Sequence, residues 1–499
     1  MHFLSFGRTS RARAIWLLGI GALSSLGFAQ LRVATWNVTN FTSTESTARK
    51  AAFQTAIFGS FQGRSMNPDV LVAQEMQGSA SVTSFLAMLN SAPGQSGQWA
   101  AATPFLTTGD SDSAFFYRTN KVQFQSLANI AGDPRSTQRY DFKLLGYDAS
   151  STTNPLMSLY SSHLKSGTAT GGSEESRRLF EARNIRTDAA TQSAAGRNVL
   201  LGGDFNIGTS NDDSYRALID ASTTNNSGAT VTNGRFHDPI NSSFTSTGAT
   251  VTWNNNNAYR FLHTQDPYGA GGMDDRMDFI LTGSTMRDGK GLEYVGSTTA
   301  AYSTTTWNDP NHSYRAWGND GTSFNSTINT TNNAMVGNTI AAAIRDSVGN
   351  SNPNNVGGHL PIFLDLKLPA DLKVAQSSLN FGTALIGSTS QLSVDISNAV
   401  DAAIWGASGV QNSSFSLSLS GTGFTLPTGG TLAAGGSVAK LISMDTTSTG
   451  IRNAVLQITD NATGQMRTVN LSGIVAVPEP ATMAALGLGV AGLLRRKRK

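Results

Sequence analysis

The residues best suited to chemistry stand at or beside the ends of apolar runs. Asn198-Val-Leu-Leu-Gly-Gly-Asp-Phe-Asn206 starts as a short buried strand, and its two glycines let the backbone approach a neighbour closely. Asp204 and Asn206 follow. In extended backbone residues i and i+2 point to one side, so a carboxylate and a carboxamide are expected to face one site. The carboxylate can hold a metal-bound water or take its proton; the carboxamide can donate to a phosphate oxygen without adding charge. Asn37, Glu75 and His163 end other apolar runs, Asp278 sits inside another, and His359 just precedes the last. Each alone has a structural explanation: a capped turn, a solvated strand end, a satisfied core histidine. Packed α/β sheets gather strand ends at one edge, where ligands bind, so their joint occurrence points to one site.

The elements that must position these residues follow from hydrophobic periodicity. Residues 31–36 alternate as a strand leading into Asn37, and 44–61 carry helical spacing. Residues 69–73 form a buried strand ending at Gln74-Glu75, then a helix follows with Val82, Phe85, Leu86 and Leu89 on one face. Residues 114–118 and 122–127 are expected to pair as a hairpin around Asn120, and 139–145 to form another strand. Residues 156–160 lead into Ser161-Ser-His163. Ser173 is expected to cap a helix running to about Ala195, with Glu174 and Glu175 in its first turn. Strands at 277–281 and 359–366 complete the region. Residues 207–270 show no clear period, and 286–356 are polar with one helix near 338–348. Between 372 and 476 the pattern becomes short alternating strands (392–396, 414–419, 454–458, 468–471) with Gly-rich turns and no helix, which reads as a β-sandwich.

Charged residues are 14% of the 499, against roughly 25% in an ordinary soluble chain, with polar neutral residues in their place. Cysteine is absent, which excludes disulfides and thiolate metal sites. At residues 1–29, Arg8, Arg11 and Arg13 precede a mostly apolar run, so a secretory signal cleaved after Ala29 is expected. At the other end Val477-Pro-Glu-Pro480, an uncharged apolar run over 481–494 and Arg495-Arg-Lys-Arg-Lys499 resemble the PEP-CTERM sorting signal of Gram-negative bacteria. That resemblance implies export, handling and removal of the tail by exosortase-type machinery, and transient membrane contact through the C-terminal helix. The resting place is then the cell surface, the extracellular matrix or the medium. The two ends hold eight of the 36 basic residues and one of the 33 acidic ones, so residues 30–476 carry a net charge of −4. The pI near 9.0 therefore describes sorting segments and is no argument for nucleic-acid binding.

Six pieces recur together: Thr35-Trp-Asn37, Ala73-Gln-Glu75, Ser162-His-Leu-Lys-Ser166, Gly203-Asp-Phe-Asn206, Arg276-Met-Asp-Phe-Ile280 and His359-Leu-Pro361. In this order over 31–368 they resemble the endonuclease/exonuclease/phosphatase family, which includes pancreatic-type deoxyribonucleases and bacterial sphingomyelinases. The resemblance implies an α/β fold, a four-layer sandwich of two mixed sheets flanked by helices. Over 372–476, the opening Ser378-Leu-Asn-Phe-Gly382 resembles immunoglobulin-like modules, which implies a small all-β sandwich after it. The endonuclease/exonuclease/phosphatase resemblance further implies that Glu75, with Asn37 beside it, binds a divalent ion: Mg²⁺, with Mn²⁺ or Ca²⁺ as alternatives. Asp204 would position or activate water, Asn206 hold a phosphate oxygen, and Asp278 fix the tautomer of His359, a base or phosphate donor. His163 would assist the leaving group, with Lys165 and Arg139 as further phosphate contacts.

In one place the chain departs from the family pattern: Gly358 stands where an acid usually precedes the last histidine. A weakly held metal, strengthened by Gly358→Asp, is the expectation. The function so implied is an exported, metal-dependent phosphodiesterase, foremost a nuclease acting on DNA. Hydrolysis of a phospholipid headgroup or small phosphate ester, and a non-catalytic surface or matrix role, are the alternatives.

Overall fold

A computed structural model describes residues 30–107, 111–167, 171–269, 271–349, 357–478 and 480–496. The expected signal peptide (1–29) and residues 497–499 of the basic tail lie outside the described residues. The first part of the chain builds two sheets. One begins with β1 (Leu31–Phe41), β2 (Val70–Met76), β3 (Trp99–Ala101) and β4 (Asp112–Arg118). The second takes β5 (Val122–Ile130), β6 (Thr137–Leu144), β7 (Leu156–His163) and β8 (Asn198–Asp204). After a short ladder of β9 (Thr223–Thr224) and β10 (Thr230–Val231), the chain adds β11 (Phe236–His237) and β12 (Asp278–Gly283) to the second sheet. It then returns to the first with β13 (Glu293–Tyr294), β14 (Arg315–Ala316) and β15 (Ile362–Lys367). The orders are β13-β15-β1-β2-β4-β3, with β14 also on β15, and β11-β12-β8-β7-β6-β5. Both sheets are mixed: β1–β2 and β7–β8 are parallel, β1–β15 and β8–β12 antiparallel.

Three apolar layers hold these sheets. Val33, Val72 and Phe115 of the first meet Phe142, Leu159 and Ile280 of the second in the central core. Outside the first sheet α1 (Thr47–Phe58), α2 (Ser79–Ser91) and α5 (Gly337–Gly349) bring Phe53, Phe85 and Ile340 onto Trp36, Leu71 and Phe116. Outside the second, α3 (Ser173–Ala194) and α4 (Asp213–Ile219) bring Ile185 and Leu218 onto Leu201 and Phe279. Helix, sheet, sheet and helix therefore follow one another, as burial of both faces of the central strands requires.

Two local expectations fail for physical reasons. β4 and β5 do not form a hairpin: β4 already has β2 and β3 on its two edges, so the turn at Asn120 carries the chain into the other sheet. Phe115 and Phe124 then meet across the core, with ring centroids 6.2 Å apart, instead of along a ladder. At the start of α3 the cap is Gly172, without a side-chain bond, and Ser173 lies one residue inside. Glu175 serves that end in its place, accepting from the backbone N–H of Gly171 and, at 2.8 Å, of Asp213. The segment between β8 and β12 is held by a buried Arg276–Asp238 pair at 2.7 Å, with the guanidinium 4.0 Å from the Phe279 ring.

The C-terminal strands are β16 (Leu372–Val374), β17 (Ser378–Leu385), β18 (Gln391–Asn398), β19 (Ser413–Gly421), β20 (Phe424–Thr425), β21 (Gly430–Leu432), β22 (Ser437–Met444), β23 (Gly450–Asp460) and β24 (Met466–Ala476). They make two sheets, β16-β18-β22-β20 and β17-β24-β23-β19-β21, closed over Val394, Ile396, Ile442, Leu456 and Val469. A helix that the alternating pattern hides, α6 (Ala402–Trp405), is four residues long, too short to show a period. Its Trp405 enters the central core of the α/β part. The chain then continues into α7 (Pro480–Arg496). Among the described residues no helix is long and apolar enough to cross a membrane.

Candidate active site

The C-terminal ends of β1, β2, β7 and β8 lie at one edge of the paired sheets, and Asp204 on β8 is where their side chains converge. Its Oδ2 accepts from Asn37 Nδ2 at 3.1 Å and lies 3.5 Å from His163 Nε2 and 3.6 Å from His359 Nε2. The register explains the meeting. His163 and Asp204 are partners on the parallel β7–β8 ladder, and Asp204 and Asp278 are partners on the antiparallel β8–β12 ladder. Gly203, with φ of 148°, makes the close approach possible, because a Cβ there would stand 1.8 Å from the Ser162 carbonyl oxygen. His359 Nδ1 lies 2.9 Å from Asp278 Oδ2, and the His359 carbonyl accepts from the Trp36 indole N–H at 2.8 Å.

Asn37 and Glu75 reach the same point through irregular backbone. The β1–β2 register shifts between Asn37 and Phe41, with Thr39 and Asn40 at φ of 52° and Glu75 at 63°. Bulges of this kind re-aim side chains, and such strain outside glycine concentrates at functional sites. The turned backbone is used at once: the Thr39 N–H donates to Asn37 Oδ1 at 3.0 Å and the Asn40 N–H to Glu75 Oε2 at 2.8 Å. Asn37 Nδ2 donates to Glu75 Oε1 at 2.9 Å, which couples the two residues to Asp204.

The electrostatics divide the histidines. Burial alone would lower the His359 imidazole, but Asp278 and Asp204 outweigh it and raise it to about 10, so it is charged at neutral pH. Burial, with Arg135 and His359 nearby, holds His163 well below its ordinary range and therefore neutral. Burial also pushes the Asp204 carboxyl up to about 7; Asp278 and Glu75 add to the push, while His359 and Asn37 oppose it.

The other expected site residues are placed differently. Asn206 is left-handed, at φ of 52°, rather than extended. Its N–H donates to Asp204 Oδ1 at 3.0 Å and its carboxamide to the Leu164 carbonyl at 3.1 Å, so it braces Asp204 against the end of β7. The Lys165 ammonium turns away to Ser166, at 3.0 Å from its carbonyl. Arg139 is not a free phosphate clamp: its guanidinium is held by Asp188 at 2.7 Å and Asp141 at 3.0 Å, partners that fixed it to β6 and α3. Arg139→Ala should therefore leave turnover within about twofold while lowering stability by about 1–3 kcal/mol, the cost of stranding partly buried carboxylates. A tenfold rise in KM with unchanged unfolding would return Arg139 to the site.

Gly358 does not have room for an acid. Its φ is 81°, and a Cβ would lie 2.6 Å from Val348 Cγ2 and 2.7 Å from Val348 Cβ. The expected gain from Gly358→Asp is replaced by its opposite: a loss of about 1–3 kcal/mol from strain and crowding. Thermal unfolding reads the loss, and a Mg²⁺ titration of activity should show no lower half-point.

Sequence reasoning missed three neighbours of the site. The Ser111 hydroxyl lies 3.1 Å from His163 Nδ1. Because β4 runs antiparallel to β2, its start shares an edge with the end of β2, a signal that inspection of strand ends alone passes over. Arg135 donates to the carbonyls of His163 and Leu164, each at 2.9 Å, and so fixes the end of β7. The Asp266 N–H donates to the Gly358 carbonyl at 2.9 Å, and its carboxyl is pushed up to about 6 by burial, with His359 opposing. Nothing in the polar stretch around Asp266 distinguishes it by sequence. A cavity of about 1050 Å³ lies elsewhere: it opens beside Arg32 and Asp69, at the opposite ends of β1 and β2.

Residues 34–298, more than half the chain, match the Endonuclease/Exonuclease/phosphatase family. The chain belongs to that family. This endonuclease/exonuclease/phosphatase protein also matches the PEP-CTERM protein-sorting motif over residues 476–499, the mark of a protein exported and sorted to the surface in Gram-negative bacteria. It is similar to the human Nocturnin catalytic domain with bound sulfate anion, at 13% identity over 68% of this chain and 95% of that one, with a TM-score of 0.38. It is also similar to ANGEL2, a 2',3'-cyclic phosphatase in complex with adenosine-2',3'-vanadate, at 11% identity over 68% and 95%, with a TM-score of 0.37. The ASH/PapD-like domain 7 of human CEP192 is similar at 16% identity over 22% of this chain and 87% of that one, with a TM-score of 0.18. No curated protein matches the chain.

Proposed function

We propose that this family member is an exported, metal-dependent phosphodiesterase, and that its substrate is DNA. The observation that carries the chemistry is the convergence of Asn37, His163 and His359 on one oxygen of Asp204. Asp204 orients the attacking water and accepts its proton. His359, kept charged by Asp278, donates to a non-bridging phosphate oxygen as charge builds there. His163, neutral and steadied through Nδ1 by Ser111, stands across Asp204 to serve the leaving oxygen. Asn206 holds Asp204 in place.

The ligand chemistry fits a hard divalent cation. Glu75, Asn37 and Asp204 offer oxygen and amide groups, and burial, with Asp278 and Glu75 adding to it, raises Asp204. Among the described residues no three His, Asp or Glu side chains are arranged to hold a metal ion, so the reading rests on Glu75 and Asn37. Glu75 would hold the ion with Asn37 alongside, and when bound it would supply charge neutralisation and a more acidic water. The sorting tail, with the β-sandwich read as immunoglobulin-like, supports display of this activity at the cell surface or in the surrounding matrix.

The purified protein should nick plasmid DNA with Mg²⁺ and stop when the ion is chelated. One observation favours a second substrate: residues 31–368 carry 24 basic and 27 acidic residues, so the net charge of −3 gives DNA no general attraction. Ionic strength separates the two. DNA cleavage through phosphate contacts falls steeply with salt, whereas hydrolysis of a phospholipid headgroup or small ester responds mildly. Hydrolysis of a bis-aryl phosphodiester with DNA left intact would reject the DNA reading and keep the chemistry. No turnover on any phosphoester, across Mg²⁺, Mn²⁺ and Ca²⁺, would leave a non-catalytic surface protein.

A further inference from the structure

The outer face of the sheet β17-β24-β23 changes character along its length. Paired residues on neighbouring strands share a face, and residues two apart on one strand return to it. By that register Ile451 lies opposite Ile474, Thr383 lies beside Ile474, and Leu385 lies beside Ala476. These residues form one apolar patch at the end of the sheet from which the chain leaves. Ile451 is 70% exposed, Leu385 48% and Ile474 46%, and Val477 follows at once at 61%. Farther along the same face stand Asn453, Ser472, Asn470, Thr468 and Gln457, with Val455 half-buried among them and a single exposed Met466 at the far end. No Lys, Arg, Asp or Glu occurs at the outward positions of these three strands. Soluble domains seldom leave large apolar side chains clustered in water, and a cluster at one end of a mainly polar face marks a contact.

What lies against it follows from the chain. β24 ends at Ala476 and α7 starts at Pro480, so three residues join them. Four Cα–Cα steps span at most about 14 Å. Any membrane that receives α7 therefore lies beside the patch. The uncharged run 481–494 is about 21 Å long as helix, against roughly 30 Å of bilayer hydrocarbon. A helix this short draws its flanking residues toward the interface, which brings Val477 and the patch to headgroup depth. We propose that this face of the β-sandwich docks on the lipid bilayer surface while the tail is retained, so that the protein is seated by a sheet face as well as by its helix. Through Trp405, the seated sandwich sets the height and tilt of the α/β part. The inference uses the sorting motif and stands apart from the catalytic reading, so a protein without phosphodiesterase activity leaves it intact.

The chain has no cysteine, so single labels can be placed cleanly. Thr383→Cys, in the patch, and Ser418→Cys, far along the polar face, are labelled with an environment-sensitive fluorophore in the full-length chain. Each is bound to vesicles of phosphatidylethanolamine and phosphatidylglycerol carrying a headgroup-level spin quencher. The label at 383 should be quenched by the lipid and shielded from iodide, and the label at 418 neither. Adding Ile451→Asn and Ile474→Asn should bring the response at 383 down to that at 418, while flotation with vesicles through α7 and the unfolding temperature persist. Should that pair unfold the sandwich, the comparison of 383 with 418 in the parent chain still decides. Equal responses at both positions, or failure to associate with vesicles, overturn the proposal. Shielding at 383 that grows with protein concentration in the absence of lipid overturns it too, in favour of a second copy on the patch.

Discussion

Asp204→Asn should lower kcat by three to four orders of magnitude, about the value of a positioned acid or base together with the electrostatics around it. The substitution keeps the shape and the acceptor for the Asn206 N–H but removes the one group that touches Asn37, His163 and His359 together. It also removes a titration. In the folded protein the carboxyl is raised from 3.8 to about 7, so between those values the native state holds a proton that the unfolded chain has released. Its contribution to stability is therefore greatest below pH 4, declines as pH rises to about 7, and is flat above. Denaturant unfolding in chelator across that window should show the decline in the parent and its loss in Asp204→Asn. The slope is diagnostic, because the new amide also meets the Asn37 donor and shifts the level. A variant that retains a tenth of parental kcat would remove Asp204 from the centre of the reaction.

Trp405→Ala should cost about 3–5 kcal/mol and loosen the two parts of the chain from each other. The indole is fully buried in the core shared with β1, β6 and β15, its N–H donates to the Leu145 carbonyl at 2.7 Å, and the Lys121 ammonium lies 4.9 Å from its ring. Truncation leaves a cavity and strands that carbonyl. Val400, Val410 and Ala434 enter the same core with smaller side chains, and polar links such as Lys373–Asp148 at 2.6 Å and the Tyr147 hydroxyl to the Pro369 carbonyl at 2.8 Å lie nearer the surface. They cannot replace the lost packing. Calorimetry should resolve one parental transition into two, and protease should cut between Leu368 and Leu372. A single transition lowered by less than 1 kcal/mol would show that the remaining contacts hold the parts together without the indole.

Several parts of this protein are written locally. Apolar runs with a polar residue at the end place Asn37, Glu75, His163 and Asp204 on an edge, since strand alternation and strand ends depend only on neighbours in sequence. The spacing at 338–348 similarly shows the helix observed at Gly337–Gly349. Other features belong to contacts between distant segments. Nothing near Asn120 says that β4 will have both edges taken, so that the next strand must cross to the other sheet. Arg139 looks available until Asp188, 49 residues on, closes over it. The positive φ at Glu75 and Gly358 arises from packing against β1 and α5, and it decides both the aim of one carboxylate and the exclusion of another. Residue type and order thus determined which chemistry could assemble. Only the tertiary structure decided which groups meet at Asp204 and which are consumed in holding it there, because pairing and burial are set by residues far apart in the chain.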